Sequence, residues 1–194
     1  MARRAGERMD FEQLIPVMRL LALQAGDKIM QVYNGPDFEV RSKSDASPVT
    51  EADEAADAII SAGLRAAFPD VVLITEEQAD SHALTASTFL IVDPLDGTKE
   101  FVARNGDFAV NIALIHFGKP ILGIICVPVL DIIYWAVKDG GSYKIENGVQ
   151  EKIMCNTFNI NDLGLRVPVS RSSLNEATKQ YISRYNEPDR KSVV

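Results

Sequence analysis

Over the first part of the chain the apolar positions keep a helical beat. Leu14, Met18, Leu21, Ala25 and Ile29 recur at spacings of four and three. That places them on one stripe and predicts an amphipathic helix over residues 11 to 33. The stretch YNGPDF then breaks it with turn residues. A polar segment, RSKSDASPVT, follows, in which Pro48 favours an extended approach to the next element. Thr50 is an N-cap type, and Asp53 stands at the third helical position behind it. The second predicted helix has Ala52, Ala56, Ile59, Ile60 and Leu64 on its apolar face and ends before Pro69.

The period then shortens. VVLIT and FLIVD are apolar runs of strand length, and DFAVNIALIHF, PILGIICVPV and DIIYWAV follow with turn signals at residues 118–120 and near Asp131. They predict successive antiparallel strands, although a short apolar run fits a buried helical segment as well. YKIENGVQEKI reads as a hairpin closed by Asn147-Gly148. RVPVS is a further short strand, Ser173 to Tyr185 a modest helix, and DRKSVV the start of another strand. Two helices followed by an antiparallel sheet make an α+β layered architecture.

Composition narrows the function. The chain has 194 residues, 46% of them hydrophobic and 24% charged, which suits an ordinary globular protein with a substantial core. Its formal charge of −7 gives no general grip on nucleic acid or anionic lipid. An anionic substrate is still compatible if metal ions intervene. The basic N-terminus MARRAGERMD lacks the apolar core of a secretory signal, and ILGIICVPVLDIIYWAV is interrupted by Pro128 and Asp131, against a spanning helix. Cys126 and Cys155 fit no metal-binding spacing and read as ordinary buried or half-buried thiols in a reducing cytoplasm.

The remaining chemistry is carried by acids: Asp53, Glu76, Glu77, Asp93 and Asp96. Taken singly each has a plainer reading. Asp53 serves as a helix cap, Glu76 and Glu77 as a solvated loop, and Asp93-Pro-Leu-Asp96-Gly97 as a tight turn. Taken together, two apolar strands that both end on carboxylates gather Glu76, Asp93 and Asp96 at one rim. Such a group is costly unless cations neutralise it, and hard divalent ions such as Mg2+ prefer oxygen ligands. Gly97 and the start of a helix at Thr98 would suit a phosphate. With no Gly-x-Ser-x-Gly elbow, no P-loop and only His82 and His116 as histidines, both read as bystanders, metal-assisted phosphate-ester hydrolysis remains.

VTEAD, ITEE and DPLDGTKEF, in this order, resemble the metal-site signatures of the inositol monophosphatase superfamily of Mg2+-dependent phosphatases. KSDASPVTEAD, DPLDGTKEF, RNGDFAVNIALI and GKPILG are similar to its bacterial bisphosphate nucleotidase branch, which acts on adenosine 3',5'-bisphosphate in sulfate assimilation. Lys99-Glu100 replaces the Thr-Asn pair more common in inositol phosphatases. The resemblance implies two or three Mg2+ ions, with Glu76, Asp93, the Leu95 carbonyl and Asp96 as ligands. Glu76, Leu95, Asp96, Gly97 and Thr98 would border the substrate. Thr98 with Asp53, beside Glu76, would position and activate the attacking water, and Glu77 would support the site or a further ion.

The resemblance also implies a layered sandwich. Its N-terminal part has two helices packed on a largely antiparallel sheet, and its C-terminal α/β part is mostly missing here. Residues 1–9 are expected as an extension, 10–165 as the metal- and phosphate-binding domain, and 166–194 as the start of a truncated C-terminal domain. The partner is a small phosphate ester and no nucleic acid polymer; peripheral membrane association and a homodimer are compatible. An inositol or sugar phosphatase, or an inactive metal- or partner-binding remnant, are the alternative readings.

Overall fold

The predicted stripe of the first helix is buried along its whole length. In the computed structural model, which describes residues 13–42, 48–169, 174–185 and 189–192, helix α1 spans Leu14–Tyr33. Leu14, Met18, Leu21, Ala25 and Ile29 all point into the core. The expected N-terminal extension, most of the segment between Arg41 and Pro48, and Ser170 and Ser173 lie outside the described residues. Helix α2, Glu51–Ala67, begins as expected at Thr50, whose hydroxyl oxygen accepts the Ala52 N–H at 3.2 Å. Asp53 closes the capping box by accepting the Thr50 N–H at 2.8 Å. A cap of this kind contributes about 0.5–2 kcal/mol. Here it also fixes where Asp53 points.

Between the helices, β1 (Val40–Ser42) and β2 (Pro48–Thr50) pair antiparallel. This small ribbon was not expected from so polar a stretch. A seven-stranded sheet follows, with its strands side by side in chain order: β3 (Val72–Thr75), β4 (Thr88–Asp96), β5 (Ala109–His116), β6 (Lys119–Val127), β7 (Ile132–Val137), β8 (Gly141–Glu146) and β9 (Val149–Ile153). Every neighbouring pair is antiparallel except β3 and β4, which are parallel. A short 3-10 turn, Ala79–Ala83, lies on the connection between those two strands. A five-residue helix, α3 (Thr98–Val102), follows β4.

Helices α1 and α2 pack on each other and on the sheet, α1 against β5 and β6 and α2 against β3 and β4. Leu90, Val92, Ile112, Leu114 and Ile124 meet the helices from the strands, while Ile91 and Ile125 on the alternate positions stay 42% and 46% exposed. One face of the sheet is therefore core. Trp135, read as a core residue, is half-buried against it and stacks on Tyr143 at 4.3 Å.

The chain divides into two compact units after Ile153, upstream of the boundary expected after residue 165. Residues 154–165 carry no helix or strand. The second unit holds β10 (Arg166–Val169), α4 (Glu176–Ile182) and β11 (Asp189–Ser192), with the two strands parallel. Asn175 caps α4 by accepting the Thr178 N–H at 2.9 Å, so this helix is shorter than the span expected for it. Cys126 is buried and Cys155 exposed; both are free thiols. No described helix is long and apolar enough to cross a membrane.

Candidate active site

Parallel pairing of β3 and β4 carries their two ends to the same rim. Thr75 lies beside Val92, and the next residue, Glu76, donates its N–H to the Val92 carbonyl at 3.1 Å. The chain then turns. Gln78 donates its N–H to the Thr75 carbonyl at 3.3 Å, which leaves Glu76 and Glu77 as the two residues of a tight turn beside β4.

Strand β4 continues past that point and bulges. Asp93 pairs with Asn111 and Asp96 with Ala109, so Pro94 and Leu95 together oppose the single residue Val110. Residues three apart on a regular strand point to opposite faces. The extra residue removes one step, turning Asp93 and Asp96 to the same side. Proline, which cannot donate to the ladder, is tolerated at such a bulge. Asn111 then donates from its side-chain amide to Asp96 Oδ2 at 3.0 Å. The sequence reading did not single out Asn111, although it lies inside the quoted segment RNGDFAVNIALI.

After Asp96 the chain turns sharply through Gly97, at φ 96° and ψ 37° in the left-handed region. A Cβ at this position would meet the Asp107 carbonyl oxygen at 2.7 Å. Glycine is thus required both by its backbone angles and by the close approach. Thr98 opens α3 and donates its hydroxyl to Asp53 Oδ1 at 3.0 Å, with the Leu95 carbonyl at 3.2 Å as an alternative acceptor. The other oxygen of Asp53, Oδ2, is held by the Thr50 N–H and by the Thr50 hydroxyl at 2.6 Å. At 1% exposure Asp53 is both the cap of α2 and the partner of Thr98. Phe101 anchors α3 from below, packed at 4.9–5.3 Å between the rings of Tyr33, Phe38 and Phe108.

The electrostatics centre on Asp93. Burial, then the charges of Glu76 and Asp96 and a hydrogen bond to Glu76, push its carboxyl up to about 8. Two carboxyls can hydrogen-bond to each other only if they share a proton. Asp93 Oδ1 is also buried and lacks a hydrogen-bond partner. Among the described residues no three His, Cys, Asp or Glu side chains converge as a ready-made metal cage. The orphaned oxygen and the shared proton nonetheless fit a cation, which would satisfy the first and replace the second.

An open apolar cavity of about 810 Å3 borders this rim. Glu76, Asp93 and Asn111 belong to its lining together with Ile91, Ile125 and Tyr134 from the exposed face of the sheet. His82 belongs to the same lining. The His82 ring nitrogen lies 2.9 Å from the Thr75 carbonyl, and His116 lies 2.7 Å from the Thr88 hydroxyl.

Residues 10–192 match the inositol monophosphatase family over almost the whole chain. The chain belongs to that family. The 3'(2'),5'-bisphosphate nucleotidase CysQ of Escherichia coli strain K12 is 43% identical to it over 176 residues, covering 89% of this chain and 70% of that protein. Among solved structures, CysQ from Bacteroides thetaiotaomicron superposes with a TM-score of 0.76 at 32% identity, covering 96% of this chain and 74% of that one. An inositol monophosphatase from Thermotoga maritima shares the fold, with a TM-score of 0.77 at 22% identity, covering 94% and 68% of the two chains. The inositol monophosphatase fold expected from the quoted motifs is thus present, with helices on one face of a largely antiparallel sheet.

Proposed function

We infer that this chain is a metal-dependent phosphatase of the bisphosphate nucleotidase type, which removes the 3'-phosphate of adenosine 3',5'-bisphosphate to leave AMP and phosphate. The observation that carries the reading is the bulge of β4. It turns Asp93 and Asp96 to one side, beside Glu76, and leaves Asp93 Oδ1 buried without a partner. The nucleotide as substrate is supported by the nucleotidases to which the chain is 43% and 32% identical, from Escherichia coli and Haemophilus influenzae.

Glu76, Asp93, the Leu95 carbonyl and Asp96 would hold two or three Mg2+ ions. Bound there, the ions stabilise charge on both the attacking and the leaving oxygen of an in-line displacement. The chain's own groups supply orientation and proton transfer. Backbone N–H groups at Gly97 and Thr98, at the start of α3, would hold the phosphate, since the first N–H groups of a helix have no partner within it. Thr98 Oγ, by donating to Asp53 Oδ1, keeps its lone pairs for a proton of the attacking water. As the water attacks, its proton passes to Thr98 Oγ, and the Thr98 proton passes to Asp53 Oδ1. Asp53 Oδ2, held by Thr50, keeps the carboxyl from rotating away. Glu77 supports the same turn. The two free thiols suit the cytoplasm.

The substrate assignment is tested by kcat/KM for phosphate release from adenosine 3',5'-bisphosphate, inositol 1-phosphate and a sugar phosphate, each with Mg2+. A clear preference for the bisphosphate nucleotide is expected. Equal or better turnover of inositol phosphate would overturn the nucleotidase reading while keeping the phosphatase.

A further inference from the structure

Helix α2 carries a second buried carboxyl one turn beyond Asp53. Asp57 is 6% exposed and stands four residues further on, so the two side chains leave the same face of the helix. Asp53 reaches Thr98 after β4, whereas Asp57 reaches the exit of β3. Its Oδ1 accepts the hydroxyl of Thr75, a residue with no exposed surface, and that of Ser61 at 3.2 Å. Its Oδ2 accepts the side-chain amide of Gln78 at 2.7 Å. The same amide nitrogen donates to Ser61 Oγ at 3.1 Å, and Gln78 Oε1 accepts from Arg65 at 2.5 Å. Asp57 therefore grips both ends of the turn whose two central residues are Glu76 and Glu77. The Thr75 carbonyl inside that turn is held further by the Ser81 hydroxyl at 3.2 Å and the His82 ring at 2.9 Å.

Among the described residues the hydrogen-bond partners of Asp57 are all neutral. A buried carboxyl so placed is a poor source of stability, since it sheds its water without meeting an opposite charge. It does have a geometric consequence: Thr75 and Gln78 cannot shift without breaking a bond to it. We propose that Asp57 is a positioning residue of the cation site. By clamping Thr75 and Gln78 it holds the backbone of Glu76 where that side chain meets Asp93, and so sets how tightly the site takes a divalent cation. The inference rests on the reading of Glu76 as a metal ligand. Groups that orient a ligand from behind typically change metal affinity by about 10–100-fold when removed.

Asparagine is the informative replacement. It keeps the shape and the bonds to Thr75 and Ser61 but turns an amide N–H toward the amide N–H of Gln78. Turning over the Gln78 amide would set its N–H groups against Arg65, so one donor faces another either way. Combining Asp57→Asn with Gln78→Glu restores the pattern. The new amide donates to the new carboxylate, whose second oxygen accepts from Arg65.

The test is calorimetric titration of Mg2+ into the full chain without substrate, with melting in EDTA as a separate record of stability. Asp57→Asn is expected to raise the Kd for Mg2+ about tenfold or more, and the double variant to recover most of that loss. An unchanged Kd in Asp57→Asn, at whatever melting temperature, would overturn the proposal, as would a double variant as weak as the single one. Glu76→Gln separates the two levels. If it binds Mg2+ as tightly as the wild type, or the wild type binds none, the ligand reading of Glu76 fails and the role of Asp57 falls with it. If Glu76→Gln loses binding while Asp57→Asn does not, only Asp57 is misassigned. Should Asp57→Asn fail to fold, Gln78→Met removes the clamp from the loop side and is judged by the same change in Kd.

Discussion

Two turns at the ends of strands in the same sheet each pass through a glycine with positive φ, and they do different work. At Asn147-Gly148, between β8 and β9, φ is 50° and 75°, the geometry of a two-residue hairpin, and a Cβ on Gly148 would meet nothing within 4 Å. At Gly97 the same liberty is spent under crowding, with the Asp107 carbonyl where a Cβ would go. The hairpin turn is complete in itself and needs only local residues. The β4 turn draws on four separate segments: α2 through Asp53, the β3 exit through Glu76, β5 through Asn111, and its own Asp93 and Asp96. Glycine with aspartate in a turn is thus weak information, and long-range convergence on the turn is what marks a site.

Substitutions at the two turns should separate these roles. The largest effect belongs to Asp93→Asn, which keeps the shape but cannot release a proton to become an anionic ligand. Loss of several kcal/mol of stabilisation at the reacting phosphate would lower kcat by about 10³-fold or more, measured as phosphate release with Mg2+ present. Thr98→Val should lower kcat about 10²-fold by removing the proton path to Asp53, with the Kd for Mg2+ unchanged in calorimetry. Gly97→Ala combines a left-handed cost of about 1–2 kcal/mol with a displaced backbone, and a shift of about 1 Å near a reacting group is worth up to about 10² in rate. Gly148→Ala, with the same backbone penalty and free space, should lower the melting temperature a little and leave activity as it was. Equal loss of activity in the two glycine variants would erase the distinction between the turns.

The smallest effect is one of pH. In the metal-free folded chain Asp93 holds its proton up to about 8, whereas an unfolded aspartate releases it near 3.8. Between those values the folded state binds the additional proton, so metal-free stability falls as pH rises through that window. Mg2+ displaces the proton, and the stabilisation it confers should therefore grow with pH over the same range. Melting curves in EDTA and in Mg2+ from pH 5 to pH 8 check this, and parallel curves would speak against Asp93 as a ligand.

Local chemistry made much of this legible. The α1 stripe, the Thr50 cap and the Asn147-Gly148 hairpin each depend on residues within a turn or two of one another. The strands were readable as apolar runs with turn residues between them. The bulge was not, because Pro94 signals an irregularity while the partner strand decides which residue is in excess. The parallel pairing of β3 and β4 and the bond from Asn111 to Asp96 likewise depend on contacts distant in sequence. Asp57 was passed over for the same reason. On a helix it is one polar position among several, and its partners Thr75 and Gln78 lie 18 and 21 residues away.

Convergence of Glu76, Asp93 and Asp96 on a cation beside the β4 turn is the central claim. Phosphate release from adenosine 3',5'-bisphosphate by the wild type and by Asp93→Asn, each in Mg2+ and in EDTA, tests it most directly. The predicted result is turnover by the wild type in Mg2+ alone, abolished by EDTA and by Asp93→Asn. Turnover that persists in EDTA, or that survives Asp93→Asn, would contradict it.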